Sequence, residues 1–137
     1  MKSKKVLAFL LIIVMMTSIL SLYSTVSAFE SITPCWINTM SISCDMGFSG
    51  RTATLVADID ALTGATITGN LYLYKQNGTA WDLVTSWGKT SSTCTISFVQ
   101  TYTVNSAGTY KITLTGMVER NGTIENVIIT SNPKSCT

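Results

Sequence analysis

The chain has no histidine. That excludes a Ser-His-Asp or Cys-His arrangement, because each needs an imidazole to take a proton from its nucleophile near neutral pH. There is no Cys-x-x-Cys pair either. With no histidine to complete a tetrahedral ligand set, zinc is not expected, and redox catalysis lacks the close cysteine pair it needs. Charged residues make up only 12% of the chain. The carboxylates, Glu30, Asp45, Asp58, Asp60, Asp82, Glu119 and Glu125, are scattered along it instead of paired for acid–base work. No nucleophile, base and orienting group come together, so the expectation is a protein that is not an enzyme, with no catalytic residue, metal or cofactor.

What is present begins with an export signal. Lys2, Lys4 and Lys5 precede the apolar run Val6 to Met16, which loosens into Thr17 to Leu22 and ends at Val26-Ser27-Ala28. A positive start, an apolar middle and small residues at −3 and −1 describe a secretory signal peptide over 1–28, cleaved after Ala28. An uncleaved anchor is the competing reading, since the run approaches spanning length. Polar residues break its second half, and the first cysteine, Cys35, stands seven residues past the cleavage point, too far on for a lipid-anchored start. The expected product is secreted and extracellular, with no membrane association after cleavage. Removing 28 of 137 residues leaves 109, enough for one domain over 29–137. Lys+Arg falls from 9 to 6 while Asp+Glu stays at 7, so the net charge of +2 becomes −1. A near-neutral surface gives no electrostatic reason to expect a nucleic-acid partner.

The remaining sequence alternates with period two and shows no helical period. Met40, Ile42, Cys44, Met46 and Phe48 occupy alternate positions, as do Ala53, Leu55, Ala57 and Ile59, and Ile67, Leu71 and Leu73. Each pattern buries one face of a strand and wets the other. Asn77-Gly78 predicts a tight turn, Trp81 to Trp87 a fourth strand, and Cys94 to Val104 a fifth. Tyr110, Ile112, Leu114 and Val118 mark a sixth, and Asn121-Gly122 turns into a seventh, Ile124 to Thr130, before Pro133. Seven short strands separated by turn signals predict an all-β antiparallel sandwich.

Asn105-Ser106-Ala107-Gly108-Thr109-Tyr110 resembles the turn into the sixth strand of immunoglobulin-like domains. There a tyrosine hydroxyl bonds back to the upstream backbone, a role that falls to Tyr110. Ile112 stands where an immunoglobulin domain has its second core cysteine, so the resemblance implies a seven-stranded immunoglobulin-like β-sandwich and no receptor or antibody function. Ile32-Thr33-Pro34, Asn77-Gly78-Thr79, the tryptophan-rich stretch Trp81 to Trp87 and Gly108-Thr109-Tyr110 together resemble a group of small exported proteins of Gram-positive bacteria with no assigned activity. That resemblance implies a fold and leaves the function open. The four cysteines are not a general feature of that group.

An even number of cysteines in a small exported chain predicts two disulfides. In an immunoglobulin-like sandwich the strand order favours Cys35–Cys94 with Cys44–Cys136, and Cys44–Cys94 with Cys35–Cys136 is the alternative. Asp58 and Asp60 are too few ligands for a calcium site, and their simpler reading is a polar strand end. Asn77-Gly78-Thr79 and Asn121-Gly122-Thr123 match the N-glycosylation pattern, but each is also a hairpin turn. Trp81 and Trp87 are expected to pack in or beside the core. Tyr72 and Tyr74 face away from Leu71 and Leu73 and are the candidate ligand-binding residues, two coplanar rings suited to a sugar or a partner protein. Two functions follow: a secreted, non-catalytic binding or adhesion module for an extracellular glycan or protein, or a secreted structural or effector protein that antagonises competing bacteria. The sequence does not set the oligomeric state.

Overall fold

A computed structural model describes residues 35–137; the signal peptide expected over 1–28 lies outside them. The strands are β1 (Thr39–Ser49), β2 (Thr52–Ala61), β3 (Thr66–Asn77), β4 (Ala80–Ser91), β5 (Thr95–Thr103), β6 (Gly108–Arg120), β7 (Thr123–Thr130) and β8 (Lys134–Cys136). They form two antiparallel sheets, one ordered β1-β2-β5 and one ordered β4-β3-β6-β7, with β8 also paired to β6. The protein is an immunoglobulin-like β-sandwich with one strand more than expected. The eighth strand is the seventh resumed. Thr113 pairs with Thr130, but Tyr110 pairs with Lys134, so the register slips by one residue across Ser131–Pro133. Within the slip the Ile112 N–H donates to Ser131 Oγ at 3.1 Å, and Pro133 has no N–H to offer a ladder. Because facing alternates along a strand, the extra residue turns Cys136 inward, where it is 4% exposed.

The predicted inward faces form the core. Ala53, Leu55, Ala57 and Ile59 of β2 meet Ile67, Leu71 and Leu73 of β3 and Ile112, Leu114 and Val118 of β6, all fully buried. Near the middle, Gly69 and Gly116 are register partners on β3 and β6. A Cβ on Gly116 would collide with Ile59 Cδ1 and lie 3.0 Å from Val127 Cγ2. The absent side chains let the smaller sheet approach the larger one closely there.

Two details depart from the sequence expectation. Met40 is 65% exposed, because the β1–β2 register shifts between Thr39 and Ser41 and the bulge turns Met40 out and Thr39 in. The β3–β4 hairpin closes on Gly78-Thr79, since Asn77 still pairs with Ala80 and only Gly78, at φ 61°, takes a left-handed conformation. Asn77 stays in the strand and its Nδ2 donates to Asp82 Oδ2 at 2.8 Å. The β6–β7 hairpin turns on Asn121 and Gly122, both at positive φ, as expected.

Hydrogen bonds fasten both ends of the sandwich. At one end, Glu125 of β7 accepts hydrogen bonds from the N–H groups of Ile37 (2.6 Å), Asn38 (3.1 Å) and Thr39 (2.8 Å), and from Thr39 Oγ1 (2.7 Å). Burial alone would push the Glu125 carboxyl up, but the Thr39 hydroxyl and the three backbone donors outweigh it and hold the group below its ordinary value. At the other end, the Tyr110 hydroxyl donates to the Ser106 carbonyl at 2.6 Å. This is the corner expected from the sequence, and it braces the connection from β5 in one sheet to β6 in the other.

Candidate functional site

The outer face of the larger sheet is set by register. Along β3 it carries Thr68, Asn70, Tyr72 and Tyr74; opposite them on β6 stand Met117, Thr115, Thr113 and Lys111. On β7 the partners of Met117, Thr115 and Thr113 are Asn126, Ile128 and Thr130. Tyr72 and Tyr74 are half-buried neighbours with ring centroids 6.2 Å apart. Their planes are inclined by 33°, so the pair is not the coplanar platform expected.

Trp81 corrects a second expectation. Its ring lies under the Lys111 ammonium at 4.2 Å, on the same outer face as Tyr74, Lys111's register partner. Trp87 does pack at the core, edge-on to Tyr102 with centroids 6.2 Å apart. The two tryptophans differ because β4 has an irregularity opposite Leu73/Tyr74: Leu73 pairs with Thr85 and Tyr74 with Leu83. Val84 is the extra residue, and the inward set on one side of it becomes the outward set on the other.

Beyond the tyrosines the face sinks into a depression of about 480 Å³ lined by Thr68, Asn70, Thr115, Met117, Asn126 and Ile128, among others. Asn70 is the residue two before Tyr72 and points the same way, so the depression and the tyrosine pair share the outer face of β3. A Cβ on Gly88, the register partner of Asn70, would come within 3.0 Å of Asn70 Oδ1, so the glycine leaves room for the amide to lie across β4. Several hydroxyls are already paired with one another: Thr113 with Thr130 at 3.0 Å, and Thr68 with Thr90 at 3.3 Å. The Asn70 and Asn126 side-chain amides, each with donor and acceptor atoms, also line the depression. Met117 and Ile128, 40% and 68% exposed, supply apolar wall. Such a surface can stack a ring, bond hydroxyls and hold a chain lengthwise. Neither Lys111 nor Asn126 stood out in the sequence, and Trp81 was expected at the core, because each acquires its place only through pairing between strands.

The expected disulfides are corrected. All four cysteines are free thiols. Cys136 Sγ lies 3.4 Å from the Gly50 carbonyl oxygen, whereas Cys44 sits six residues earlier along β1, about 20 Å away at the strand rise. The Cys44 thiol instead lies beside the backbone of Leu114, itself six residues along β6 from Cys136's register partner Gly108. Both measures exceed the Cα separation of about 4.4–6.8 Å that a bridge requires. The alternative Cys44–Cys94 fails as well, since Cys44 pairs with Ala57 while the Cys94 carbonyl accepts from the Ala61 N–H, four residues further along β2. Cys35–Cys136 would join opposite ends: the Ile37 N–H meets Glu125, whereas Cys136 meets Gly50. Cys94 precedes β5 at φ 55°, outside the alternation that would have placed it inside. Cys35 and Cys94 do share one end of the domain and are unbonded there. Burial pushes the Cys44 thiol up, and the Asp45 carboxylate adds to this against the opposing Leu114 backbone, so Cys44 stays protonated.

Among the described residues no group of three or more Asp, Glu or Cys side chains is placed to hold a metal ion, and no helix is long and apolar enough to cross a membrane. No family model matches the chain, and no curated protein matches it significantly. Among solved structures, wild-type OgpA from Akkermansia muciniphila is similar over 78% of this chain and 34% of its own, at 13% identity and a TM-score of 0.41. The chain thus spans about a third of that protein, and a likeness so distant bears on neither site nor activity.

Proposed function

We propose that the protein is an exported, non-catalytic binding module that holds an extracellular saccharide chain along the outer face of its larger sheet. The observation that carries this reading is the tilted Tyr72–Tyr74 pair, centroids 6.2 Å apart, on the same sheet face as a depression with amide side chains on its lining. A pyranose presents an apolar face to stack on an aromatic ring and equatorial hydroxyls to bond an amide. Aromatic walls with a few placed polar groups are how such sites divide affinity from orientation. Asn70 and Asn126 favour a saccharide over a flat protein partner, because side-chain amides satisfy hydroxyls in either direction.

Saccharide-array binding of the purified protein, followed by calorimetry on hits, tests the proposal. Tyr72→Ala and Tyr74→Ala should each weaken binding by roughly tenfold, on the scale of about 1.4 kcal/mol for a lost aromatic contact. Both rings lie outside the core, so the unfolding midpoint should hardly move. An array without hits, together with growth inhibition of neighbouring bacteria by the same protein, would favour an effector acting without a saccharide ligand.

A further inference from the structure

Resting on that reading, we infer that the site selects saccharides bearing an anionic group, and that Lys111 is the residue that reads the charge. Lys111 stands beside Tyr74 in register, and its ammonium lies 4.2 Å from the centroid of the Trp81 ring. The ring holds the charge at a defined point on the outer face, where a freely moving lysine would sweep a wide volume and order poorly on binding. A sugar seated on the tyrosines therefore has a fixed cation beside it.

Surrounding charges leave that cation available. Asp82, the acidic residue of β4, pairs in register with Lys75 and accepts a hydrogen bond from Asn77 Nδ2 at 2.8 Å. Glu119, the acidic residue on Lys111's own strand and face, is eight residues away, about 26 Å along the strand. The opposite face of the molecule carries Asp45, Asp58 and Asp60 on β1 and β2 and would repel the same ligand. An acidic chain is thus steered to one face and held by one end of it. The anionic group can be a carboxylate, as in a uronic acid, or a sulfate ester; both offer the acceptor oxygens an ammonium binds.

The test uses oligogalacturonate, its fully methyl-esterified form and a sulfated galactan oligosaccharide, each titrated into the purified protein. The acidic forms should bind roughly three- to tenfold tighter than the ester, and the difference should shrink as salt is raised. Lys111→Gln should abolish the preference, read as the ratio of acidic to ester affinity within the one variant, while Lys111→Arg should keep it. An unfolding curve for each variant separates a lost charge from a lost fold. Tighter binding of only one acidic form supports the inference and identifies which group is read. Equal binding of acidic and neutral forms, or a preference that survives Lys111→Gln in a folded protein, overturns this inference alone. No binding of any of the three removes the tyrosine-site reading, and this inference with it.

Discussion

The two sheets present outer faces built on one rule and very different in content. On the smaller sheet, rows read Ser49-Thr52-Thr103, Gly47-Thr54-Thr101, Asp45-Val56-Val99, Ser43-Asp58-Ser97 and Ser41-Asp60-Thr95. Hydroxyls, three carboxylates and one valine pair fill it, with no aromatic ring. On the larger sheet the same alternation places Trp81, Tyr74, Tyr72 and Lys111 at one end and the amide-lined depression beyond. The first face is what a strand needs to be wetted: β-branched and small polar side chains that fit the pleat and bind water. The second carries more than wetting requires, since half-exposed aromatic rings and exposed Met117 and Ile128 contribute little to solubility. A common architecture therefore carries two outer faces of different chemistry, one polar and without aromatic rings, the other aromatic and amide-lined.

That contrast holds only while the sheets are docked, so the largest effect is expected where they are fastened. Glu125→Ala removes the acceptor for three backbone N–H groups and the Thr39 hydroxyl at once. The site is partly open to water, which can replace some of those bonds. A loss of about 2–3 kcal/mol is the expected outcome, measured by denaturant unfolding. The same clamp predicts a pH dependence. Because folding lowers the carboxyl below its ordinary 4.5, the unfolded chain takes up the proton first as pH falls. The contribution is complete at neutral pH, declines as pH drops through the unfolded-state value and is gone below the folded-state one. The Ala variant should therefore lose less stability than the parent over that acid range. Parallel pH profiles would show that the clamp is inert.

The opposite end sharpens the comparison with a smaller effect. Tyr110→Phe keeps the ring, which packs against Phe48 with centroids 5.5 Å apart, and deletes only the hydroxyl that donates to Ser106. A loss of about 1–2 kcal/mol in unfolding free energy is expected, with saccharide affinity unaltered at temperatures where the protein stays folded. An unchanged midpoint would mean the corner bond adds nothing to stability.

The contrast also marks what a sequence of this kind reveals. Period two made the strands and the buried set of β2, β3 and β6 legible, because facing within one strand is a local property. The Tyr110 corner was legible for a similar reason, its partner Ser106 lying four residues upstream. Tyr72 and Tyr74 could be placed on one face, but not their 33° tilt. Wherever an extra residue enters, the local rule fails. The bulge at Met40 exchanged it with Thr39, the irregularity at Val84 turned Trp81 outward, and the slip at Ser131–Pro133 sent Cys136 inward. Glu125, one acidic residue among seven, became a fastening through contacts 86 to 88 residues distant, and no short-range pattern encodes that. The Cys44–Cys136 pairing failed on length: strand ends that match in a schematic sandwich are about 20 Å apart when residues are counted along β1.

The smallest expected effect tests the plain face. Val56 and Val99 are register partners, 40% and 68% exposed, at the centre of the smaller sheet's outer surface. Their simplest role is a cross-strand pair that favours the extended backbone, with no ligand in view. Val56→Thr with Val99→Thr keeps the branch at Cβ and exchanges one methyl for a hydroxyl on each, making that row resemble its Thr54–Thr101 neighbour. Stability should change by no more than about 0.5 kcal/mol, the range for exposed substitutions away from caps and networks. Saccharide affinity should not change at all, because the valines and Tyr72 lie on outward faces of different sheets. A loss of binding in this folded double variant would place ligand on the smaller sheet too. The hydroxyl- and carboxylate-rich face would then need a function of its own.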